Sequence, residues 1–159
     1  MEENLQPCIG CGAPVPEIEG PIHPYYGASP GCWAVAGEVL QIEYGDYPRY
    51  ASVYRLSVDA YAALHPGVPS PQSIGSVGGH LIRLHLVLER GPEKANAAMQ
   101  WASRRKRDFV WLDPPASLGE LTVLHVCDAK DPDEHVRRVR EVGVGGVVAS
   151  PRYGSAAGG

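Results

Sequence analysis

Apolar residues recur every three or four positions through much of the chain, which is the spacing of an amphipathic α-helix. The most regular stretch begins near Ser70 or Ser73, either of which can cap a helix. Its apolar positions are Ile74, Val77, Leu81, Leu84 and Leu88. Gly75, Gly78 and Gly79 reduce the intrinsic helix propensity of this stretch, but they also allow a neighbouring backbone or a ligand to approach closely.

Proline and glycine divide the remaining helical pattern into segments. Ser29 and Pro30 are typical of a helix start, and Gly45 ends the helix that they open. The short apolar run 121–127 fits either a strand or a helical turn. Beside the helix that begins near Ser70, helices are predicted over 30–43, 46–64, 93–106 and from Asp131 onward. The pattern therefore predicts a mainly α fold, a helical bundle of four to five helices.

The two ends of the chain lack this helical pattern. Residues 1–28 contain five prolines, so we expect an irregular segment that needs another interaction to hold it in place. Residues 143–159 contain six glycines among seventeen positions, and we expect them to form a flexible tail. The predicted organisation is a single metal-held helical domain over 1–142, followed by the Gly-rich tail 143–159.

The overall charge and hydropathy exclude several functional classes. The formal net charge is −4, so we expect no nucleic-acid surface, and the basic run 104–107 is interpreted as a solvated helix end. No apolar run approaches the roughly 20 residues that a membrane helix needs. The acidic start, Met1 to Asn4, does not resemble an export signal. We therefore expect a cytoplasmic protein that has a small molecule or another protein as its partner.

Cysteine spacing gives the clearest chemical signal in the chain. Cys8 and Cys11 are separated by two residues and followed by Gly12, which is typical of a zinc knuckle whose tight turn directs both thiolates at one ion. Cys32 falls in the first turn of the first predicted helix, where the helix dipole favours a thiolate. Because no export signal precedes them, Zn²⁺ binding is favoured over disulfides, and a redox Cys-x-x-Cys pair is a weaker alternative.

A histidine is expected to supply the fourth ligand. If the first three long helices run up, down and up, one end of the bundle gathers Cys32, His65, Gln72 and His80. We expect His80 to complete the site because it lies on the apolar seam, where an unpartnered imidazole is costly. The alternative for His80 is a core histidine that a carbonyl or a tyrosine hydroxyl satisfies. His65, Asp59 and Gln72 are then alternative ligands or groups that orient the ligands, although Asp59 also fits a plain surface carboxylate.

Six short motifs follow one another along the chain. They are Cys8-x-x-Cys11-Gly-Ala, Gly31-Cys32-Trp33-Ala34, Val58-Asp59-Ala60-Tyr61-Ala62, His65-Pro66-Gly67, Gln72-Ser73 and His80-Leu81. Together they resemble the domain of unknown function 5946 family of small bacterial proteins, over roughly residues 5–140. The resemblance implies no activity. It implies that the pattern of the family includes Cys8, Cys11, Cys32, Asp59, His65 and His80.

Two functional hypotheses follow from these residues. In the first, the zinc ion is structural and the protein is a small binding or regulatory module, since three thiolates and one histidine fill the four positions that zinc prefers. In the second, the protein is a zinc-dependent enzyme of the hydrolase type, and the Cys/His site keeps an open position for a water molecule that the metal activates.

Overall fold

The structure of the protein is a computed structural model, which describes residues 3–114 and 119–149. Within these ranges the chain forms seven α-helices and one small two-stranded sheet, so the mainly α prediction is confirmed. The strands are β1 (Leu5–Pro7) and β2 (Pro14–Pro16). The helices are α1 (Pro30–Gly45), α2 (Tyr47–Tyr50), α3 (Tyr54–Leu64), α4 (Pro71–Arg90), α5 (Pro92–Ser103), α6 (Val123–Cys127) and α7 (Pro132–Ala149).

Helix α3 is the centre of the bundle. Its residues 60–64 are buried on every side of the helix, which is the pattern of a helix enclosed by its neighbours. It packs against α4 and α7, while α4 also packs against α5, and α1 packs against α3 and α6. Because α3 is surrounded, the polar residues that it carries, Asp59 and the terminal His65, are held in the interior.

The structure divides one predicted helix and decides between two alternatives for a second segment. The segment predicted as one helix over 46–64 is divided by a turn at 51–53 into α2 and α3. The run 121–127, for which a strand and a helical turn were both possible, contains the short helix α6. Ser70 caps α4 as expected, since its side chain accepts a hydrogen bond from the Ser73 amide at 3.2 Å.

The structure also differs from the prediction of a tail that begins at Gly143. Helix α7 continues to Ala149. A Cβ atom at Gly143 would lie 3.2 Å from Leu56 Cδ1 and 3.5 Å from Leu84 Cδ1, so this glycine lets α7 pack directly on α3 and α4. The remainder of the predicted tail, 150–159, lies outside the described residues.

The N-terminal segment folds as an antiparallel hairpin, in which Leu5 pairs with Pro16 and Pro7 with Pro14. Its strands are three residues long, so the segment has little apolar core of its own. The hairpin contacts α1 where the helix begins: a Cβ atom at Gly31 would lie 2.1 Å from the carbonyl oxygen of Pro16. Only glycine fits at this position, and the end of β2 is therefore placed against the first turn of α1.

No helix within the described part of the chain is both long enough and apolar enough to cross a membrane.

Candidate metal centre

Four potential metal ligands from three separate elements converge at one end of α3. Cys8 and Cys11 come from the hairpin turn, Cys32 from the first turn of α1, and His65 from the residue that follows α3. Their ligand atoms all lie within 4.8 Å of one another. Cys8, Cys32 and His65 are buried, whereas Cys11 is partly exposed. Residues that are distant in sequence therefore form a single compact Cys₃His cluster.

The hairpin turn holds Cys8 and Cys11 in a knuckle conformation. The Cys8 amide donates to the Ala13 carbonyl at 2.8 Å, and the Gly12 amide donates to the Cys8 carbonyl at 2.9 Å. Gly12 has a φ of +76°, a backbone conformation that glycine adopts without strain. These bonds close the turn, so both thiols lie on the side that faces α1.

Backbone amides also surround the Cys8 sulfur. The amides of Gly10 and Ser29 lie 3.5 Å and 3.4 Å from Cys8 Sγ, and both can donate hydrogen bonds to a thiolate. Ser29 was expected to cap α1 with its side chain, but it makes no such bond. Its hydroxyl instead accepts from the Ile9 amide at 2.9 Å, which ties the knuckle to the start of α1.

The two distances that Cys32 Sγ makes to other ligand atoms fit a tetrahedral zinc site. Cys11 Sγ lies 3.9 Å from Cys32 Sγ, and Cys32 Sγ lies 3.4 Å from His65 Nε2. With Zn–S bonds of about 2.3 Å and Zn–N bonds of about 2.0–2.1 Å, a tetrahedron requires S···S separations of about 3.8 Å and S···N separations of about 3.5 Å. The sulfur separation is far longer than the roughly 2.05 Å of a disulfide bond. The donor set and its spacing therefore fit Zn²⁺.

His65 is oriented for ligation by its other ring nitrogen. Its Nδ1 atom lies 2.7 Å from the Tyr61 carbonyl oxygen, which can only accept, so Nδ1 carries a proton and Nε2, the atom that a metal would bind, is directed at the thiols. The imidazole also stacks on the Tyr61 ring at a centroid distance of 4.0 Å. A Cβ atom at Gly10 would lie 2.7 Å from His65 Cδ2, so this glycine makes room for the ring.

Burial and mutual hydrogen bonding shift the ionisation of the cluster. Hydrogen bonds from Cys11 and Cys32 lower the pKa of Cys8, whereas the hydrogen bonds that Cys32 makes with Cys11 and Cys8 raise its own pKa. Burial lowers the pKa of His65, but hydrogen bonds to Cys11 and Cys8 outweigh this effect and raise it to about 9. The cluster therefore stabilises a thiolate, which is the form of cysteine that binds metals.

Tyr61 contributes a further polar contact to the centre. Its hydroxyl donates to Cys32 Sγ at 3.4 Å, while its carbonyl holds His65. Burial raises the pKa of Tyr61, and the hydrogen bond to Cys32 acts in the same direction, so the phenol stays protonated and able to donate. Tyr61 also belongs to the buried core, and the sequence singles it out only as part of a motif. Its position four residues before His65 on α3 is the signal that places the two side chains on the same face.

His80, which the sequence favoured as the fourth ligand, lies outside the cluster. Its Nδ1 atom contacts Asp59 Oδ1 at 2.7 Å, and its Nε2 atom contacts the Tyr26 hydroxyl at 2.9 Å. Both ring nitrogens are therefore satisfied elsewhere. The reason is the distance along α4: at 1.5 Å per residue, His80 is about 14 Å from Pro71, where the helix begins. The fourth donor beside the thiols is His65.

The two remaining candidates also lie away from the thiols. Asp59 is buried and does orient a histidine, but that histidine is His80, and Asp59 also pairs with Arg83. Gln72 is exposed in the first turn of α4. Neither belongs to the group of residues whose ligand atoms converge.

A comparison with protein families matches residues 6–143 to the model of a family of unknown function, DUF5946. The chain belongs to the DUF5946 family. All four residues of the Cys₃His cluster lie within the matched region, as do Asp59 and His80. No curated protein and no solved structure matches this DUF5946 chain.

Proposed function

We propose that this DUF5946 protein binds one Zn²⁺ ion through Cys8, Cys11, Cys32 and His65, and that the ion is structural. The observation that carries this proposal is the convergence of three thiols and one imidazole, whose ligand atoms all lie within 4.8 Å of one another. Three sulfur ligands and one imidazole select zinc over magnesium or calcium, which prefer oxygen. The ion would hold the N-terminal hairpin to α1 and α3.

A structural role is favoured over the hydrolase hypothesis because four protein ligands leave no coordination position for a reactive water. The function of the protein would then belong to the helical surface that the ion stabilises, as in a binding or regulatory module. We propose a small molecule or a protein as its partner, rather than nucleic acid. A cytoplasmic location agrees with its free thiols, which such a compartment keeps reduced.

Metal analysis of the purified protein tests this proposal. We expect about one zinc per chain in the wild type and less than about a tenth of that in the Cys8→Ser/Cys11→Ser variant. Cys127→Ser is the matched control, because Cys127 is a free cysteine in α6, outside the cluster, and its loss should leave the zinc content unchanged. Equal zinc content in the wild type and the double variant would exclude the knuckle as the metal site.

A further inference from the structure

A second candidate site lies outside the Cys₃His cluster. It is a cleft of about 410 Å³ between α3, α4 and the segment that follows α5. The residues that line it include Arg55, Asp59, Gly75, Gly79, Arg83 and Lys106. Its volume suits a small molecule rather than a macromolecule.

Two glycines of α4 give the cleft its shape. A Cβ atom at Gly75 would lie 3.7 Å from Lys106 Cδ, and one at Gly79 would lie 3.5 Å from Met99 Cε. The absence of side chains at these positions therefore brings Lys106 and Met99 against the α4 backbone and leaves space beside it. This close approach explains why α4, the helix with the most regular apolar pattern, contains Gly75 and Gly79 although glycine lowers its helix propensity.

The lining of the cleft is positively charged, although the chain carries a net charge of −4. Among the described lining residues, the acidic side chain is Asp59, and the basic ones are Arg55, Arg83 and Lys106. Asp59 is already engaged, since its two carboxylate oxygens lie 2.7 Å from His80 Nδ1 and 3.0 Å from Arg83 Nε. Within 3–114 and 119–149, no carboxylate lies at ion-pair distance from Arg55 or Lys106. Within these ranges the cleft therefore holds two cationic side chains that make no direct ion pair, although Asp59 attracts Arg55 at longer range.

Arg83 presents a fixed donor at the wall of the cleft. Its side chain is 10% exposed, and its Nε atom faces Asp59 while Nη1 donates to Asn96 Oδ1. Its remaining nitrogen, Nη2, makes no hydrogen bond to any residue in the described ranges. A guanidinium that two partners hold in one orientation loses little entropy when it binds a planar or tetrahedral oxyanion.

We propose that this cleft binds a small molecule through its phosphate group. Arg83 would supply the buried donor, while Arg55 and Lys106 would supply two charges that have no ion-pair partner among the described residues. A phosphate monoester carries between about 1.5 and 2 negative charges at pH 7, which matches this excess better than a single carboxylate does. Asp59 acts as a positioning residue, because it holds Arg83 and His80 rather than facing the ligand. This inference is independent of the proposed zinc ion.

The test is isothermal titration calorimetry of the zinc-loaded full chain with inorganic phosphate, with chloride and acetate titrated at matched ionic strength. We expect saturable binding of phosphate only. In the Arg55→Gln/Lys106→Gln variant the dissociation constant should rise by about tenfold or more, since each lost charge-assisted contact weakens binding. The matched control is Arg90→Gln/Lys94→Gln, which removes the same charges from exposed positions outside the cleft, and its affinity should stay within about twofold of the wild type.

Three results would overturn the proposal. The first is phosphate binding no stronger than chloride binding in the wild type. The second is an equal loss of affinity in both double variants, which would mean that only the net charge of the protein matters. The third is acetate binding as tight as phosphate binding, which would identify a carboxylate ligand instead. Both exposed pairs can be replaced without disturbing the core, so circular dichroism should show the wild-type helical content in every variant.

Discussion

His65 Nε2 lies 3.4 Å from Cys32 Sγ, although 33 positions separate the two residues in the chain. The contact joins the end of α3 to the start of α1, and the hairpin that carries Cys8 and Cys11 closes over both. Because each of the three elements supplies part of the donor set, the proposed zinc ion would link the N-terminal segment to the centre of the bundle.

The first prediction compares the two histidines. His65→Ala should lower the zinc affinity by more than about 100-fold, because it removes a ligand, and loss of a group that merely orients a ligand already costs about 10–100-fold. His80→Ala should leave the zinc affinity unchanged, since both ring nitrogens of His80 have partners outside the cluster. Competition with a chromophoric zinc chelator measures both values. Equal affinities in the two variants would contradict the assignment of His65.

The sequence could not show which of these two histidines lies beside the thiols. Apolar spacing reveals the faces of helices, but it does not reveal where the connecting loops run. His80 lies on the seam of α4, and the argument that a seam histidine needs a partner holds: its partners are Asp59 and Tyr26. His65 precedes Pro66 at a chain reversal and lies outside the apolar seam of α4. In the structure its side chain is completely buried, and its carbonyl accepts a hydrogen bond from the Gly27 amide at 3.1 Å. The loop that contains Gly27 and contacts His65 has no periodic pattern of apolar residues that could have predicted this burial.

Local chemistry was more predictable than long-range packing. The Cys-x-x-Cys-Gly turn, the Ser70 cap and the helical class all follow from short-range rules, because turns, caps and apolar periods involve residues within four positions of each other. The continuation of α7 beyond Gly143 depends instead on Leu56 and Leu84, which are far away in the sequence. A glycine that permits helix packing and a glycine in a disordered tail look the same in one sequence.

The second prediction concerns removal of the metal. A structural zinc contributes on the order of 10 kcal/mol of apparent binding free energy, far more than the few apolar contacts of the three-residue strands β1 and β2 can supply. Chelation should therefore lower the melting temperature and expose residues 1–28 to protease, and added zinc should reverse both effects. Calorimetry and limited proteolysis measure them.

The Cys8→Ser/Cys11→Ser variant provides the control for this experiment, because it should melt at the same temperature with and without chelator. An unchanged melting temperature of the wild type after verified metal removal would show that the hairpin does not depend on the ion.

The last prediction tests whether Gly143 and Gly145 belong to a packed helix or to a flexible tail. Gly143→Leu should lower the free energy of unfolding by about 1–3 kcal/mol, because a Cβ atom there already lies 3.2 Å from Leu56 Cδ1 and a larger side chain overpacks the core. Gly145→Ala should raise it by about 0.5–1 kcal/mol, since alanine has the higher helix propensity and its Cβ atom would lie at an ordinary contact distance of 3.7 Å from Leu121 Cδ1. Urea denaturation of both variants gives the two values. In a flexible tail neither substitution would change the stability, so opposite signs are the result that only a packed α7 explains.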